Sequence, residues 1–192
     1  MNAALKVFSK SNYKHASTDI IIKEAGISKG LLFHYFTNKA GLYSFLYAYC
    51  VKYVQMERIQ IFQNRENNFF LRTLQVEQAY EKASKKYPYI EMFLARAQLE
   101  EEEEIHTLIQ DKKQEFMNET DQFWIGNESE EQDKQEMLMI YALLRYTIDG
   151  IRGKYIDRAE FDPKTMFSER KEYIQFLSHL YSANEVGQGG VQ

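Results

Sequence analysis

The sequence contains few of the residues that interrupt or cross-link a chain. It has 192 residues, with only two prolines, nine glycines and one cysteine. Three of the glycines lie within the last six residues, so breakers are rarer still in the remainder. Few breakers favour a helical protein. The single cysteine, Cys50, cannot form an internal disulfide, and its apolar surroundings predict a small core residue.

Long hydrophobic segments are also missing. The longest apolar run, residues 41–51, is closed by Lys52 and is too short to span a bilayer. The N-terminus has no basic segment followed by a cleavable apolar stretch. These absences predict a protein of the reducing cytoplasm with no membrane partner.

The sequence carries no catalytic signature. It lacks a nucleophile elbow, a phosphate-binding glycine loop and the two-histidine spacing of a metal site. Glu103 and His106 have the spacing of a helical di-iron ligand pair, but no second pair exists. The five glutamates of residues 100–104 predict a solvated helix face or a helix junction, with a metal site as the minor alternative. We therefore expect no cofactor and no enzyme activity, and a small helical enzyme is the least favoured alternative.

The charge of the chain is unevenly distributed. The net charge is −4, yet residues 1–50 hold six lysines against only Asp19 and Glu24. The first 50 residues thus carry a net +4 and the remainder carries −8. A basic end on an acidic body suits a polyanionic partner that binds at one end.

Residues 17–39 predict two short helices joined by a glycine turn, with another helix opening immediately afterwards. Ser17 and Ser28 are good helix N-caps, and Gly26 is a good helix terminator. A helix over residues 2–10 precedes them and is followed by Asn12, a residue that tolerates the left-handed conformation used to end helices. This is the layout of a helix-turn-helix that places one helix in the major groove of DNA. The predicted core of this unit comprises Ala4, Phe8, Ile21, Ala25, Leu32 and Phe36.

The other face of the third helix is predicted to meet double-stranded DNA. Lys29 would contact a phosphate or a guanine edge, and Leu31 would contact a thymine methyl group. Ser17 would present its hydroxyl and a free backbone N–H to a phosphate, as would the helix start beside Lys39. The full set of predicted DNA contacts is Ser17, Ser28, Lys29, Gly30, Leu31, Phe33, His34, Tyr35 and Lys39.

Residues 1–47 resemble the DNA-binding domain of the tetracycline-repressor (TetR) family of bacterial regulators. Phe33 stands where that family usually has tyrosine, and Tyr35 stands where histidine is common. We therefore expect the phenolic phosphate contact to be lost at Phe33 and partly taken over by Tyr35. The resemblance rests on Ala3, Ala4, Phe8, Asn12, Tyr13, Ser17, Ile21, Ala25, Gly26, Ile27, Ser28, Leu32, Phe36, Lys39 and Leu42.

The remaining three quarters of the chain resemble the family only in being helical. Helical patterns cover residues 70–86, 105–124, 134–155 and 164–181, with Pro88 opening a helix and a polar loop at 126–132. The expected fold is all-α, with a helix-turn-helix domain at 1–47 and a larger ligand-binding and dimerisation domain at 48–192.

The resemblance implies that the last two long helices form a four-helix homodimer interface. Two recognition helices would then face a near-palindromic operator. The apolar positions expected to supply this interface are Met137, Ile140, Tyr141, Leu144, Ile148, Ile151, Phe167, Tyr173, Ile174, Phe176, Leu177 and Leu180.

The resemblance also implies a small-molecule effector that releases a repressor from its operator. Aromatic residues in an acidic domain would suit a planar or cationic compound, whereas Arg145 would suit an acidic one. The alternatives of an ordinary core at these positions, and of a helical protein-interaction module that binds no DNA, stay open. The candidate ligand-binding residues are Phe93, Phe116, Phe123, Trp124, Tyr141, Arg145 and Tyr146.

Overall fold

Helices make up most of the residues that the structure of this protein describes. A computed structural model describes residues 1–61, 68–125, 131–156, 158 and 161–188. These ranges form nine helices and no strand, which confirms the all-α prediction. The helices are α1 (Asn2–Lys10), α2 (Thr18–Ala25), α3 (Lys29–Phe36), α4 (Lys39–Ile61), α5 (Phe69–Lys86), α6 (Ile90–Gln98), α7 (Glu103–Ile125), α8 (Glu131–Ile156) and α9 (Pro163–Gln188).

Side-chain caps set the ends of the first helices. The Ser17 hydroxyl accepts from the Ile20 N–H at 3.4 Å, and the Ser28 hydroxyl accepts from the Leu31 N–H at 3.1 Å. Gly26 ends α2 in the left-handed conformation, with φ 65°. These three predictions are confirmed because each residue supplies the group that its helix end needs.

The turn between α1 and α2 differs from the prediction. Asn12 does not adopt the left-handed conformation, because α1 already ends at Ser11 in extended backbone. The Asn12 side-chain oxygen instead accepts from the His15 N–H at 3.1 Å and closes a local turn. Asparagine favours both arrangements, so sequence alone does not choose between them.

The head, residues 1–47, has most of its predicted core. Ala4, Phe8, Ile21 and Leu32 are buried, and Phe36 is half-buried. Ala25 is exposed, so its assignment to the core was wrong. Ala25 is the last residue of α2, and the half-buried Ile22 packs against the core from that helix instead.

The body, residues 48–192, shares one hydrophobic core with the head. Helix α4 runs through both parts and buries Tyr43, Tyr47 and Cys50. The ring of Tyr43 lies 4.9 Å from that of Phe8 in the head and 5.1 Å from that of Phe93 in the body. The core position predicted for Cys50 is confirmed, and burial raises the pKa of its thiol to about 12.

A buried ionic network joins α5, α6, α8 and α9 in the body. The fully buried Arg170 donates to Glu77 at 3.0 Å and to Glu91 at 3.1 Å, and Arg152 reaches Glu91 at 2.6 Å. Burial opposes the ionisation of Glu91, but the two guanidinium groups outweigh it and lower the pKa of that carboxyl. Leaving one such buried charge without its partner costs about 3–5 kcal/mol.

Some boundaries differ from those expected. Pro88 lies in a turn and α6 begins at Ile90, while α9 extends past Tyr181. The predicted loop over 126–132 lies partly outside the described residues. In the described ranges, no helix combines the length and the apolar character needed to cross a bilayer. No cluster of three or more His, Cys, Asp or Glu side chains in the same ranges could bind a metal ion.

Candidate nucleic-acid interface

Helix α3 presents an open outer face. The side chain of Lys29 is 68% exposed, and Tyr35 is 72% exposed. His34 is also exposed, and its ring lies 5.3 Å from that of Tyr35 at nearly a right angle. The buried Leu32 fixes the opposite side of the helix in the core. Side chains of α3 are therefore available to a partner along most of the predicted face.

Leu31 and Phe33, which are both predicted to contact DNA, differ in their exposure to solvent. Leu31 is 45% exposed, and Ile20 of α2 is a second exposed aliphatic side chain of the head. Phe33 is half-buried and packs against the core of the head. Apolar contact with DNA is thus open to Leu31, whereas Phe33 is largely used within the protein.

Gly30 is surrounded by empty space. Apart from its chain neighbours and the backbone of its own helix, a Cβ atom built at Gly30 would meet no heavy atom within 4 Å. At Gly41, by contrast, a Cβ atom would collide with the carbonyl oxygen of Phe36. Glycine costs a helix roughly 0.5–1 kcal/mol relative to alanine. Packing accounts for the glycine at position 41, but nothing within the described protein accounts for the one at position 30.

Ser17 and Ser28 stand at the N-termini of α2 and α3. Backbone N–H groups at a helix N-terminus point outward, and the helix dipole favours a negative charge there. Ser17 is half-buried and Ser28 is exposed. The two helix starts are therefore able to receive phosphate oxygens, in the roles predicted for these serines.

Lys39 is engaged inside the head. Its ammonium group donates to the carbonyl oxygens of Tyr13 at 2.8 Å, Ala16 at 3.2 Å and Lys14 at 3.4 Å. It also lies 4.3 Å from the centre of the Tyr13 ring. All three ammonium protons have acceptors, so the phosphate contact predicted for Lys39 requires its side chain to leave this turn.

Two further lysines of the head are committed to other partners. Lys6 pairs with Glu24 at 3.0 Å, and Lys10 donates to the backbone carbonyl of Arg158 at 3.1 Å. Lys29 lies 3.6 Å from Asp19, but both side chains are largely exposed, so this pair contributes little in water. The exposed Lys14 and Lys23 complete the set that is open to phosphates.

Among the residues predicted to bind an effector, those that the structure describes do not come together. Phe93 and Phe116 lie in the core shared with the head, whereas Tyr141 packs in a separate cluster with Leu144. Arg145 is exposed beside the Tyr141 ring, and Tyr146 is 75% exposed. The side chains of Phe123 and Trp124 lie outside the described residues. The structure therefore defines no effector pocket from this set, and the site stays a prediction.

Helices α8 and α9 expose an apolar face, called here the α8–α9 face. Met139, Leu143 and Tyr146 of α8 are 57–75% exposed and lie at helical spacing. Gly150 and Gly153 continue that stripe, and neither would meet another atom within 4 Å if it carried a Cβ. Helix α9 adds Tyr173, Phe176 and Leu180, which are 48–59% exposed.

Several positions predicted for the dimer interface lie elsewhere. Leu144, Ile148, Ile151, Phe167 and Ile174 are buried within the protein, so the prediction that they supply surface to the dimer interface was wrong. Ile140, Tyr141 and Leu177 are half-buried, and the side chain of Met137 lies outside the described residues. Sequence reasoning missed Met139, Leu143 and Tyr146 on this helix face, although their spacing of four and three residues was visible.

A helix-turn-helix head on a helical body is the architecture of a DNA-binding regulator, and comparisons with known proteins agree. Residues 1–44 match the family model of bacterial regulatory proteins of the tetR family. The whole structure is similar to the crystal structure of a TetR family transcriptional regulator, PfmR, from Thermus thermophilus. The two share 12% sequence identity over 92% of this chain and 94% of that chain, with a TM-score of 0.53. No curated protein sequence matches the chain.

The family match and the fold support each other. At 12% identity the structural likeness establishes the fold, while the match over residues 1–44 shows that the sequence of the head is similar to that of the TetR family. The resemblance inferred from the residues is thereby confirmed. The two findings together support a transcriptional regulator of the TetR type.

Proposed function

We propose that this protein is a dimeric repressor that reads a near-palindromic operator with α3 and releases it when a small molecule binds the body. The observation that carries the proposal is the outer face of α3, on which Lys29, Leu31, His34 and Tyr35 are exposed and Gly30 leaves open space. This face lies within the segment that matches the family model.

The chemistry of α3 favours a mixed mode of DNA reading. Lys29 supplies the cation of the face and would pair with a phosphate or a guanine edge. Leu31 supplies an apolar contact suited to a thymine methyl group, and Tyr35 and His34 supply hydrogen-bond donors. The free N–H groups beside Ser17 and Ser28 would fix the register of the helix on the phosphate backbone.

The α8–α9 face supports a homodimer. Exposed apolar side chains at helical spacing on both helices would be buried by the same face of a second copy. Gly150 and Gly153 would let the backbone of a partner helix approach closely. A two-fold axis through this face would place the two copies of α3 on successive half-sites of the operator.

Release would follow from a ligand that binds the DNA-incompetent arrangement more tightly than the competent one. The shared core around Tyr43 and Phe93 supports transmission, because a change in the body would displace the head with it. If a saturating ligand bound the body and left operator affinity unchanged, this part of the proposal would be wrong.

The test is a binding assay on the DNA that flanks the protein's own gene, performed at several salt concentrations. We expect selective binding that Lys29→Ala weakens by roughly 1–3 kcal/mol. Lys85→Ala is the matched control, because it removes an exposed lysine from the body. Absence of sequence-selective binding by the unaltered protein would overturn the proposal and favour a helical interaction module.

A further inference from the structure

The corner between α6 and α7, residues 99–104, contacts the head directly. Its residues 100–104 are the five consecutive glutamates, four of which are exposed. Glu100 is instead buried, and its carboxylate accepts from the backbone N–H of Tyr13 at 2.8 Å. Glu104 accepts from the Tyr13 hydroxyl at 3.2 Å. The glutamate run therefore forms a helix junction, which was one of the two structures predicted for it. Two of its glutamates also bind the head through hydrogen bonds to Tyr13.

The backbone of Tyr13 forms hydrogen bonds to two side chains of opposite charge, one at its N–H and one at its carbonyl oxygen. On one side its N–H donates to the Glu100 carboxylate of the body. On the other side its carbonyl accepts from the Lys39 ammonium at 2.8 Å, and the same ammonium lies over its ring. Hydrogen bonds to ionised groups are about twice as strong as neutral ones. The turn between α1 and α2 is thus fixed to the body at a buried point.

A second contact anchors the end of α1 to the same part of the body. Arg96 of α6 donates through Nε to the carbonyl oxygen of Ser9 at 2.9 Å. Ser9 lies in the last turn of α1, four residues before Tyr13. The end of α6 therefore holds the end of α1, and the adjoining α6–α7 corner holds the turn that follows it.

The held turn leads directly into the DNA-reading helices. Tyr13 lies four residues before Ser17, the cap of α2, and α2 leads through Gly26 into α3. A displacement of the α6–α7 corner would move the start of α2 and carry α3 with it. The chain also connects head and body through α4, but the corner fixes the head at a separate point.

We propose that Glu100 is a positioning residue for operator binding, which sets the orientation of the head on the body through the buried Tyr13 N–H. In the dimer, this orientation determines whether two copies of α3 match two half-sites at once. The inference rests on the proposed function, because it assumes a dimer that reads a two-part operator. It adds a named route, through the α6–α7 corner, by which the body controls that reading.

The experiment compares Glu100→Ala with Glu101→Ala on two DNA duplexes, the full operator and a single half-site. Glu101 is the matched control because it is adjacent, exposed and equal in charge. We expect Glu100→Ala to weaken binding to the full operator about tenfold or more while half-site binding stays unchanged. Glu101→Ala should leave both affinities unchanged. A role in folding alone would lower both affinities together, because one head suffices for a half-site.

Two outcomes overturn the inference. One is an equal loss on both duplexes, and the other is full-operator affinity that equals that of the unaltered protein. If Glu100→Ala fails to fold, Glu100→Gln takes its place, since it keeps an acceptor oxygen and loses only the charge. Glu100→Gln is then expected to weaken full-operator binding alone, and no loss would overturn the inference. Failure of the unaltered protein to prefer the full operator over other DNA would overturn the proposed function instead.

Discussion

Gly30 stands in the first turn of α3, where neither packing nor a left-handed backbone calls for glycine. Its surroundings within the protein are empty, and its position is on the face proposed to meet DNA. A helix gains stability when such a glycine is replaced by alanine. The open space therefore suits the close approach of a base edge or a sugar, which a methyl group would obstruct.

We predict that Gly30→Ala moves stability and binding in opposite directions. The free energy of unfolding should rise by about 0.5–1 kcal/mol, because alanine is the better helix former. Operator affinity should fall in the same variant. Denaturant unfolding and the operator binding assay measure the two effects. Gly41→Ala is the control, since its collision with Phe36 predicts a loss of stability. Unchanged or tighter operator binding by Gly30→Ala would show that the space is not used by DNA.

Individual residues also show where sequence reasoning succeeds and fails. Ser17, Gly26 and Ser28 were predictable because each acts on its own helix end, within three or four residues. Lys39 was assigned to phosphate from its place at a helix start, yet its acceptors lie 23–26 residues earlier. A partner that distant in sequence has no local signal, so only the structure assigns it.

At the scale of elements, α8 has apolar residues on two sides. Leu144 and Ile148 face the body, while Met139, Leu143 and Tyr146 face outward. Periodicity finds apolar positions but does not say which of two apolar faces meets the body. The long helices were therefore predictable from sequence, whereas the division between their inner and outer faces was not.

We predict that Leu143→Glu converts the proposed dimer to a monomer, because a glutamate at the α8–α9 face would be buried between the two copies without a partner. Leu108→Glu is the control, because Leu108 is an exposed leucine on another helix and is 48% exposed. Sedimentation velocity measures the oligomeric state, and the full operator should bind more weakly to the monomer. A dimer that persists in Leu143→Glu, or is lost equally in Leu108→Glu, would contradict the proposed interface.

At the scale of the whole molecule, the +4 charge of residues 1–50 overstates the number of cations available to DNA. Three of the six lysines have partners within the same protein molecule: Lys6 pairs with Glu24, Lys10 donates to the Arg158 carbonyl, and Lys39 donates to the carbonyls around Tyr13. Lys14, Lys23 and Lys29 are left for phosphates. The sequence therefore locates the basic end of the molecule, but it does not show that half of the lysines there already have partners within the protein.

Three available lysines per head predict that operator affinity depends only modestly on salt concentration. Three lysine–phosphate contacts per head give a slope of log affinity against log salt of about −5 for a dimer. All six lysines per head would give about −11. Operator affinity measured at several concentrations between about 50 and 200 mM salt gives this slope. A slope near −11 would show that Lys6, Lys10 and Lys39 leave their partners when DNA binds.

The ionic network around Arg170 has a consequence for how this body can change over time. Glu77, Glu91, Arg152 and Arg170 come from four different helices, and each neutralises another. Loss of Arg170 would leave the buried carboxylate of Glu77 without its cation, whereas replacement of a whole buried ionic set by apolar residues is often neutral. Natural selection should therefore reject single substitutions at these four positions. Related proteins should carry either all four ionic residues or apolar residues at all four positions.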